Sequence, residues 1–215
     1  GCGSEKAPGP DGLSFKFFKK YWDVLLGDIA AMVKHFEKYG IIDTACNSSF
    51  ISLILTVKDP IVLSDFRPIS LIRSIYKIIA KILSLRIKRV LGSCIDEIQS
   101  AYVEGRNILD GPLVVNEICS WAKTIKKKVL LFKVDFNKAF DSINWEFLDS
   151  NMQSMGFGVK WRKWINGCLT SAKSSVLING CPTKEFGISK GVRQGDPLSP
   201  FLFIIAMEGL SVAMR

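Results

Sequence analysis

This sequence has a single histidine, His35, and none of its six cysteines forms a Cys-x-x-Cys pair. Those scarcities exclude the common structural zinc patterns, which draw their ligands from cysteine and histidine at short spacings. The thiols of Cys2, Cys46, Cys94, Cys119, Cys168 and Cys181 are scattered, and in a chain of 215 residues that argues against a disulfide framework. They are expected to be reduced and mostly buried, in an intracellular protein. His35 lies on an amphipathic pattern and reads as a surface or packing residue. Long apolar runs are also lacking. The longest, Phe201 to Met207, stops at Glu208, far short of the roughly 20 residues that span a bilayer, so no membrane partner is expected. No secretory leader, internal repeat or low-complexity linker is visible. There is no initiator methionine, and the chain stops within an apolar, helix-like segment from Ser211 to Arg215, so the expectation is a piece of a longer polypeptide.

What is present is the composition of a packed globule, 48% hydrophobic with only 8 prolines. Basic residues outnumber acidic ones, 29 to 20, for a net charge of +9. Such a charge favours polyanions, either nucleic acid or an anionic surface.

The turn-forming run Ala7-Pro8-Gly9-Pro10-Asp11-Gly12 delivers the chain into a helix expected from Leu13 to Tyr39. Ser49 to Val57 is apolar and β-rich, and Asp59-Pro60 ends that strand. A short loop then reaches Asp65-Phe66-Arg67-Pro68. From Leu71 to Leu91 apolar residues recur at helical spacing while Arg73, Lys77, Lys81 and Lys88 step along the opposite face. That basic stripe reads as a solvated face or as a phosphate-contacting one. Another helix is expected from Gly111 to Lys126, and a strand from Val129 to Phe136. Period two sends Asp135 to the less apolar face at the end of that strand. Helices follow over Trp145 to Met155 and Val159 to Leu169, then a hairpin turning at Asn179-Gly180. Gly191 to Pro200 is a Gly/Pro-rich loop, with Ser199-Pro200 fitting an N-cap and first helical turn.

Three constellations could carry chemistry. Asp135 offers a hard oxygen donor beside the main-chain carbonyl of Phe136, which suits magnesium, although aspartate also ends strands for solubility alone. Lys58 and Arg67 flank a loop, and an arginine fixed between Phe66 and Pro68 suits bidentate phosphate recognition, or else packing or an ion pair. In "KGVRQGDPLSP" two glycines around Arg193 and Gln194 allow close approach of backbone to a ligand, and the Gln194 amide can reach sugar or base edges.

In order, "KAPGPDGLSFKFFKKYW", "DFRPISLIRSIYKIIAKILSLRIKRVL", "QSAYVEGRNILD", "FKVDFNKAFDSINW" and "GVRQGDPLSPFLFIIAMEGLS" resemble the reverse transcriptase of LINE-type (non-LTR) retrotransposons, particularly those of plants. The resemblance covers nearly the whole chain and extends, more distantly, to group II intron reverse transcriptases. It implies an α+β right-hand polymerase, helix-rich with a small antiparallel sheet and incomplete. Residues 1–128 would form a fingers-like region and 129–215 a partial palm. It implies that Asp135 binds the catalytic Mg2+ ions with help from the Phe136 carbonyl, and that Phe140 packs under the deoxyribose. Arg67 would contact the incoming deoxynucleoside triphosphate, with Gln194 and Gly195 beside the nascent base pair, and Gln99 and Arg193 along the RNA template and DNA primer. A nuclear location is implied as well.

Two departures from the family pattern stand out. The strand before the F-R-P-I-S block usually reads L-I-P-K, whereas here it is Leu53-Ile54-Leu55-Thr56; Lys58, two residues on and on the same face of an extended strand, is a candidate substitute for the absent lysine. The Tyr/Phe-Ala-Asp-Asp segment that supplies the remaining metal carboxylates is not in this sequence, nor are the upstream endonuclease and the downstream palm, thumb and zinc-binding segments. The 215 residues alone are therefore expected to lack polymerase activity. The alternative is a non-catalytic nucleic-acid-binding remnant of a degenerate element.

Overall fold

The computed structural model describes residues 7–214. The opening turn leads into α1, Phe15–Lys20, and α2, Trp22–Tyr39. The single helix expected over Leu13 to Tyr39 is therefore broken, at Tyr21, where φ is −107° and ψ 26°. The break lets α1 bury Phe15 and Phe18 while α2 buries only Phe36 near its far end.

Ser48–Leu55 forms β1, which pairs antiparallel with β2, Phe66–Ile72, in the register Leu55 to Phe66 and Ser49 to Ile72. β2 was not foreseen, because Pro68 interrupts a strand pattern. Its position resolves the conflict: β2 ends the strand order, and an edge strand tolerates a residue with no N–H to donate. Between these strands Asp65 organises the loop. Its carboxylate accepts from the Ile61 and Val62 amides at 2.8 and 3.0 Å, which holds the Asp65 carboxyl below its usual range. Its carbonyl accepts from both the amide and the hydroxyl of Thr56.

β1 pairs on its other side with β3, Lys173–Ile178, and this pairing is parallel. The sheet is thus mixed, not the antiparallel one expected. β2 runs back beside β1, and the helices between β2 and β3 bring the chain into β3 at the end where β1 starts, the kind of crossover that parallel pairing requires. Asn179-Gly180 turns β3 into β4, Cys181–Pro182, with both turn residues at positive φ, and β5, Phe186–Gly187, also pairs with β3.

The helices are α3, Ser74–Cys94; α4, Asp110–Thr124; α5, Trp145–Ser154; α6, Val159–Thr170; and α7, Ser199–Ala213. Tyr76, Ile79, Leu83, Ile87 and Leu91 form a helical stripe that puts α3 at the centre of the core. Leu148 and Met152 of α5, Ile165 and Cys168 of α6, and Leu202 and Ile205 of α7 pack into the same cluster. Residues on both sides of position 128 therefore share one core and one sheet. A fully buried Leu or Ile stabilises by about 1.5–3 kcal/mol.

The basic stripe of α3 is not uniformly solvated. Lys88 is exposed and pairs with Glu104 at 3.1 Å, but Lys77 is buried and its Nζ donates to the Ala7 carbonyl at 3.3 Å. Both ends of α3 are satisfied from distant sequence. At its start Asp11 accepts from the Ser74 amide at 2.7 Å, and the Ser74 hydroxyl donates to the Leu13 carbonyl. At its end the Arg106 guanidinium donates to the carbonyls of Gly92 and Ile95. An anionic group at the N-terminus and a cation at the C-terminus also complement the helix dipole.

Three further expectations are corrected. Of the described thiols, all free, only Cys168 is buried; Cys46, Cys94 and Cys119 are half-buried, Cys181 is exposed, and Cys2 lies outside the described residues. Cys168 alone sits on a helix face turned into the core. Residues 127–136 form no strand and pair with none of the strands above. Alternating apolar residues make a strand only beside a partner, and here Leu130 and Phe132 stand 93% and 77% exposed. Ser199 is the first residue of α7 and not its cap; Leu198 holds the cap position. No helix among the described residues is long and apolar enough to cross a membrane.

Candidate functional site

The edge strand β2 carries Arg67 opposite Ile54, with its side chain exposed. Further along β2, the Ser70 amide donates to the Gln194 carbonyl at 2.8 Å, so the turn containing Gln194 extends the strand's hydrogen bonding. Gln194 is half-buried. Gly195 follows at φ 103°, and a Cβ there would lie 3.1 Å from the Ser70 carbonyl oxygen. Two segments remote in sequence, "FRPIS" and "RQGD", thus meet. From Ser70 back to Arg67 is roughly 10 Å along the strand at about 3.3 Å per residue.

Arg193 was expected along template and primer. Its guanidinium instead points inward: Nη2 meets Asp196 at 3.2 Å, Nη1 donates to the Asn47 carbonyl at 3.1 Å, and the group lies 4.3 Å from the ring centre of Tyr76. Burial pulls the Arg193 guanidinium's pKa down, but Tyr76 and Asp196 outweigh it and hold the group charged. Burial pushes the Tyr76 phenol well up, and Asp196 adds to the effect. Burial likewise pushes up the neighbouring Cys168 thiol. Asp196 also accepts from the Leu198 amide at 2.9 Å, which supplies the side-chain acceptor at the start of α7 that Ser199 was expected to provide. Asn47 ties the cluster to α6 by donating to the Cys168 carbonyl and the Ser171 hydroxyl.

The same turn docks the "AFDSI" segment. Val192 donates its amide to the Phe140 carbonyl at 2.8 Å, and Gly191 donates to that of Ile143 at 2.7 Å. The Trp145 indole returns a hydrogen bond to the Gly191 carbonyl at 2.8 Å. Gly191 is required here: its φ is 77°, and a Cβ would fall 2.7 Å from the Asp141 Cα. The half-buried Phe140 ring stacks on Phe203 of α7, centroids 4.9 Å apart and planes 12° from parallel. Burial raises the Asp141 carboxyl above its usual range, and Lys138 offsets part of that.

Asp135 and Phe136 lie outside this docked assembly, on the unpaired stretch. Asp135 is exposed and forms no ion pair among the described residues, where no group of three or more potential metal ligands occurs. Lys58 is exposed in the bend after β1 ends at Leu55, so it does not share a strand face as expected. Gln99 sits half-buried in the loop after α3, with its carbonyl held by Arg106 Nη1 at 2.7 Å.

Sequence reasoning missed Asp11, Tyr76, Arg106 and Asp196, each of which fixes a segment that carries a candidate residue. One local signal existed: Asp196 lies three residues before Ser199, at the spacing of a turn whose carboxylate can reach forward to a helix start. Nothing local marked the other three.

The helix-rich fold with its small mixed sheet is consistent with a polymerase domain, and comparison with known proteins identifies the class. Residues 57–215 match the family described as "Reverse transcriptase (RNA-dependent DNA polymerase)", and the chain belongs to that family. Across 210 residues it is 33% identical to the transposon TX1 uncharacterized 149 kDa protein of Xenopus laevis, covering 98% of this chain and 16% of that protein. Across 153 residues it is 26% identical to the retrovirus-related Pol polyprotein from type-1 retrotransposable element R2 of Popillia japonica, covering 71% of this chain and 21% of the relative. A shorter match, 57% over 39 residues, joins it to the uncharacterized mitochondrial protein AtMg01250 of Arabidopsis thaliana, covering 18% of this chain and 32% of that one. The chain spans about a fifth or less of the two longer relatives, and its kin are non-LTR retrotransposon polymerases.

Proposed function

We propose that this chain is the nucleotide-binding part of an RNA-directed DNA polymerase of a plant retrotransposon, with residues 1–128 as fingers and 129–215 as the start of the palm. The observation that carries the reading is the hydrogen bond from Ser70 to Gln194, which sets the "RQGD" turn against the strand bearing Arg67. Arg67, exposed on an edge strand, is free to receive triphosphate oxygens as a bidentate donor. Gln194 and Gly195 lie within reach of the base and sugar of the same nucleotide, and Lys58 adds positive charge from the hairpin loop. Phe140, backed by Phe203, presents a fixed edge to the sugar. Gln99 lies toward the template. The net charge of +9 supports sequence-independent contacts to an RNA template and a DNA primer. The match to the Arabidopsis protein supports the plant lineage. The element's polymerase would act in the nucleus.

Asp135 offers a solvated carboxylate, and the Phe136 carbonyl makes no backbone hydrogen bond among the described residues. Both are hard oxygen donors of the kind Mg2+ takes, so they fit one part of its site, with the other carboxylates supplied by a Tyr/Phe-Ala-Asp-Asp segment of the parent polypeptide. Bound magnesium supplies charge neutralisation for in-line attack of a primer 3′-hydroxyl on the α-phosphate. These 215 residues alone are inactive in this reading. In a polypeptide carrying the chain together with that segment, Asp135→Ala abolishes magnesium-dependent primer extension; retained extension removes Asp135 from the role.

One observation favours a non-catalytic nucleic-acid-binding remnant. Thr56, standing where a lysine is expected, uses its hydroxyl on the Asp65 carbonyl at 2.6 Å and presents no cation. Salt-dependent nucleic-acid binding with no extension by the unsubstituted polypeptide selects the remnant.

A further inference from the structure

Between the two candidate nucleotide contacts lies a buried ionic cluster for which the proposed chemistry has no direct use. Arg193 and Asp196 bracket Gln194 and Gly195, and their side chains are only 6% and 5% exposed. A buried ion pair costs desolvation that its attraction only partly returns, so this pair is weak grounds for stability and fits a positioning role. The partner they share is Tyr76, at the first turn of α3. Its ring lies beneath the Arg193 guanidinium at 4.3 Å, and the Asp196 carboxylate acts on its hydroxyl, adding to the upward push that burial gives the phenol. Tyr76 is also four residues beyond Ile72, the last residue of β2, so the helix turn that holds the cluster continues directly from the strand bearing Arg67.

We propose that Tyr76 is a positioning residue for the incoming nucleotide: through Arg193 and Asp196 it holds the Gln194–Gly195 turn in register with the β2 strand that carries Arg67. The inference rests on the polymerase reading above and adds a residue to it. The guanidinium is held by three neighbours at once, the Asp196 carboxylate, the Asn47 carbonyl and the Tyr76 ring, which fixes its plane. Asp196 is held by Arg193 and the Leu198 amide, which fixes the far end of the turn to α7. With both ends fixed, the turn's carbonyl at Gln194 meets the Ser70 amide, and its side chain is set relative to Arg67.

Tyr76→Phe tests this, because it keeps the ring and removes only the hydroxyl. Two measurements separate the inference from the reading beneath it. In the full chain, amide hydrogen exchange should quicken by about tenfold at Ser70 and Leu198 while Leu148 in α5 stays unchanged. Unchanged exchange at Ser70, or equal acceleration everywhere, overturns the proposal. In the extension-competent polypeptide, Tyr76→Phe should raise KM for deoxynucleotide about fivefold with kcat within about twofold, and Arg67→Ala should raise KM further. Asp196→Asn, which keeps the shape, should follow Tyr76→Phe; an Arg193→Lys variant should retain part of the affinity. If Arg67→Ala raises KM and Tyr76→Phe does not, the inference fails alone. If neither moves KM, the nucleotide site itself is misassigned.

Discussion

The turn from Gly191 to Ser199 and the stretch from 127 to 136 both carry residues proposed for the same chemistry, yet the fold treats them oppositely. The turn is bonded to β2, to "AFDSI" and to the start of α7, and its charged side chains are buried and paired. The stretch bearing Asp135 pairs with no strand described, and its apolar residues face solvent. What separates them is the supply of partners. The buried charged groups of the turn find complements at Tyr76, Asn47 and the start of α7, and its Gln194 carbonyl finds one on β2, whereas an extended segment needs a neighbouring strand for its backbone groups and a second surface for its apolar face.

That contrast can be broken most severely at Arg193. Arg193→Met leaves Asp196 buried without its cation and should cost about 3–5 kcal/mol in urea unfolding, while Asp135→Asn should change stability by less than about 0.5 kcal/mol. Equal effects would erase the distinction. Arg106→Ala removes the donor shared by the carbonyls of Gly92, Ile95 and Gln99, and should cost about 2 kcal/mol with faster exchange confined to the end of α3 and the Gln99 loop. Asp11→Ala removes the acceptor from the first turn of α3, a loss of about 1 kcal/mol in the same unfolding assay. The smallest effect concerns Asp141, at the junction of the two regions. Its folded pKa is raised, so its contribution to stability is full below the ordinary value of 3.8 and is lost as pH rises through the raised one. Asp141→Asn should therefore be slightly more stable than the unsubstituted chain at neutral pH, and that advantage should vanish in acid. An advantage that persists below the carboxylate range would assign the effect to something other than ionisation.

Helices were legible in position but not always in extent: the one expected over Leu13 to Tyr39 breaks at Tyr21, and the one expected from Leu71 starts at Ser74 because Leu71 and Ile72 pair in β2. The spans α5, Trp145–Ser154, and α6, Val159–Thr170, each differ by one residue from the expected ends. β1 and the Asn179-Gly180 turn were legible for the same local reasons. β2 was hidden by Pro68, which only its edge position makes compatible with a strand. The strand expected at Val129 to Phe136 had the right alternation but no partner. Of the site, the segments were readable as a family pattern, while the inward turn of Arg193 was not, since nothing adjacent in sequence shows that Tyr76 and Asn47 wait there to receive it.

By itself, then, the sequence determined the helices, the first strand and the polymerase lineage, because periodicity and motif spacing act over short range. Only the tertiary structure decided which basic side chains face solvent and which are buried, that β1 lies parallel to β3, and that both ends of α3 are satisfied by Asp11 and Arg106. The reason is physical: a buried charge or an open helix end must be satisfied by whatever group the fold brings near, and that group can come from anywhere in the chain.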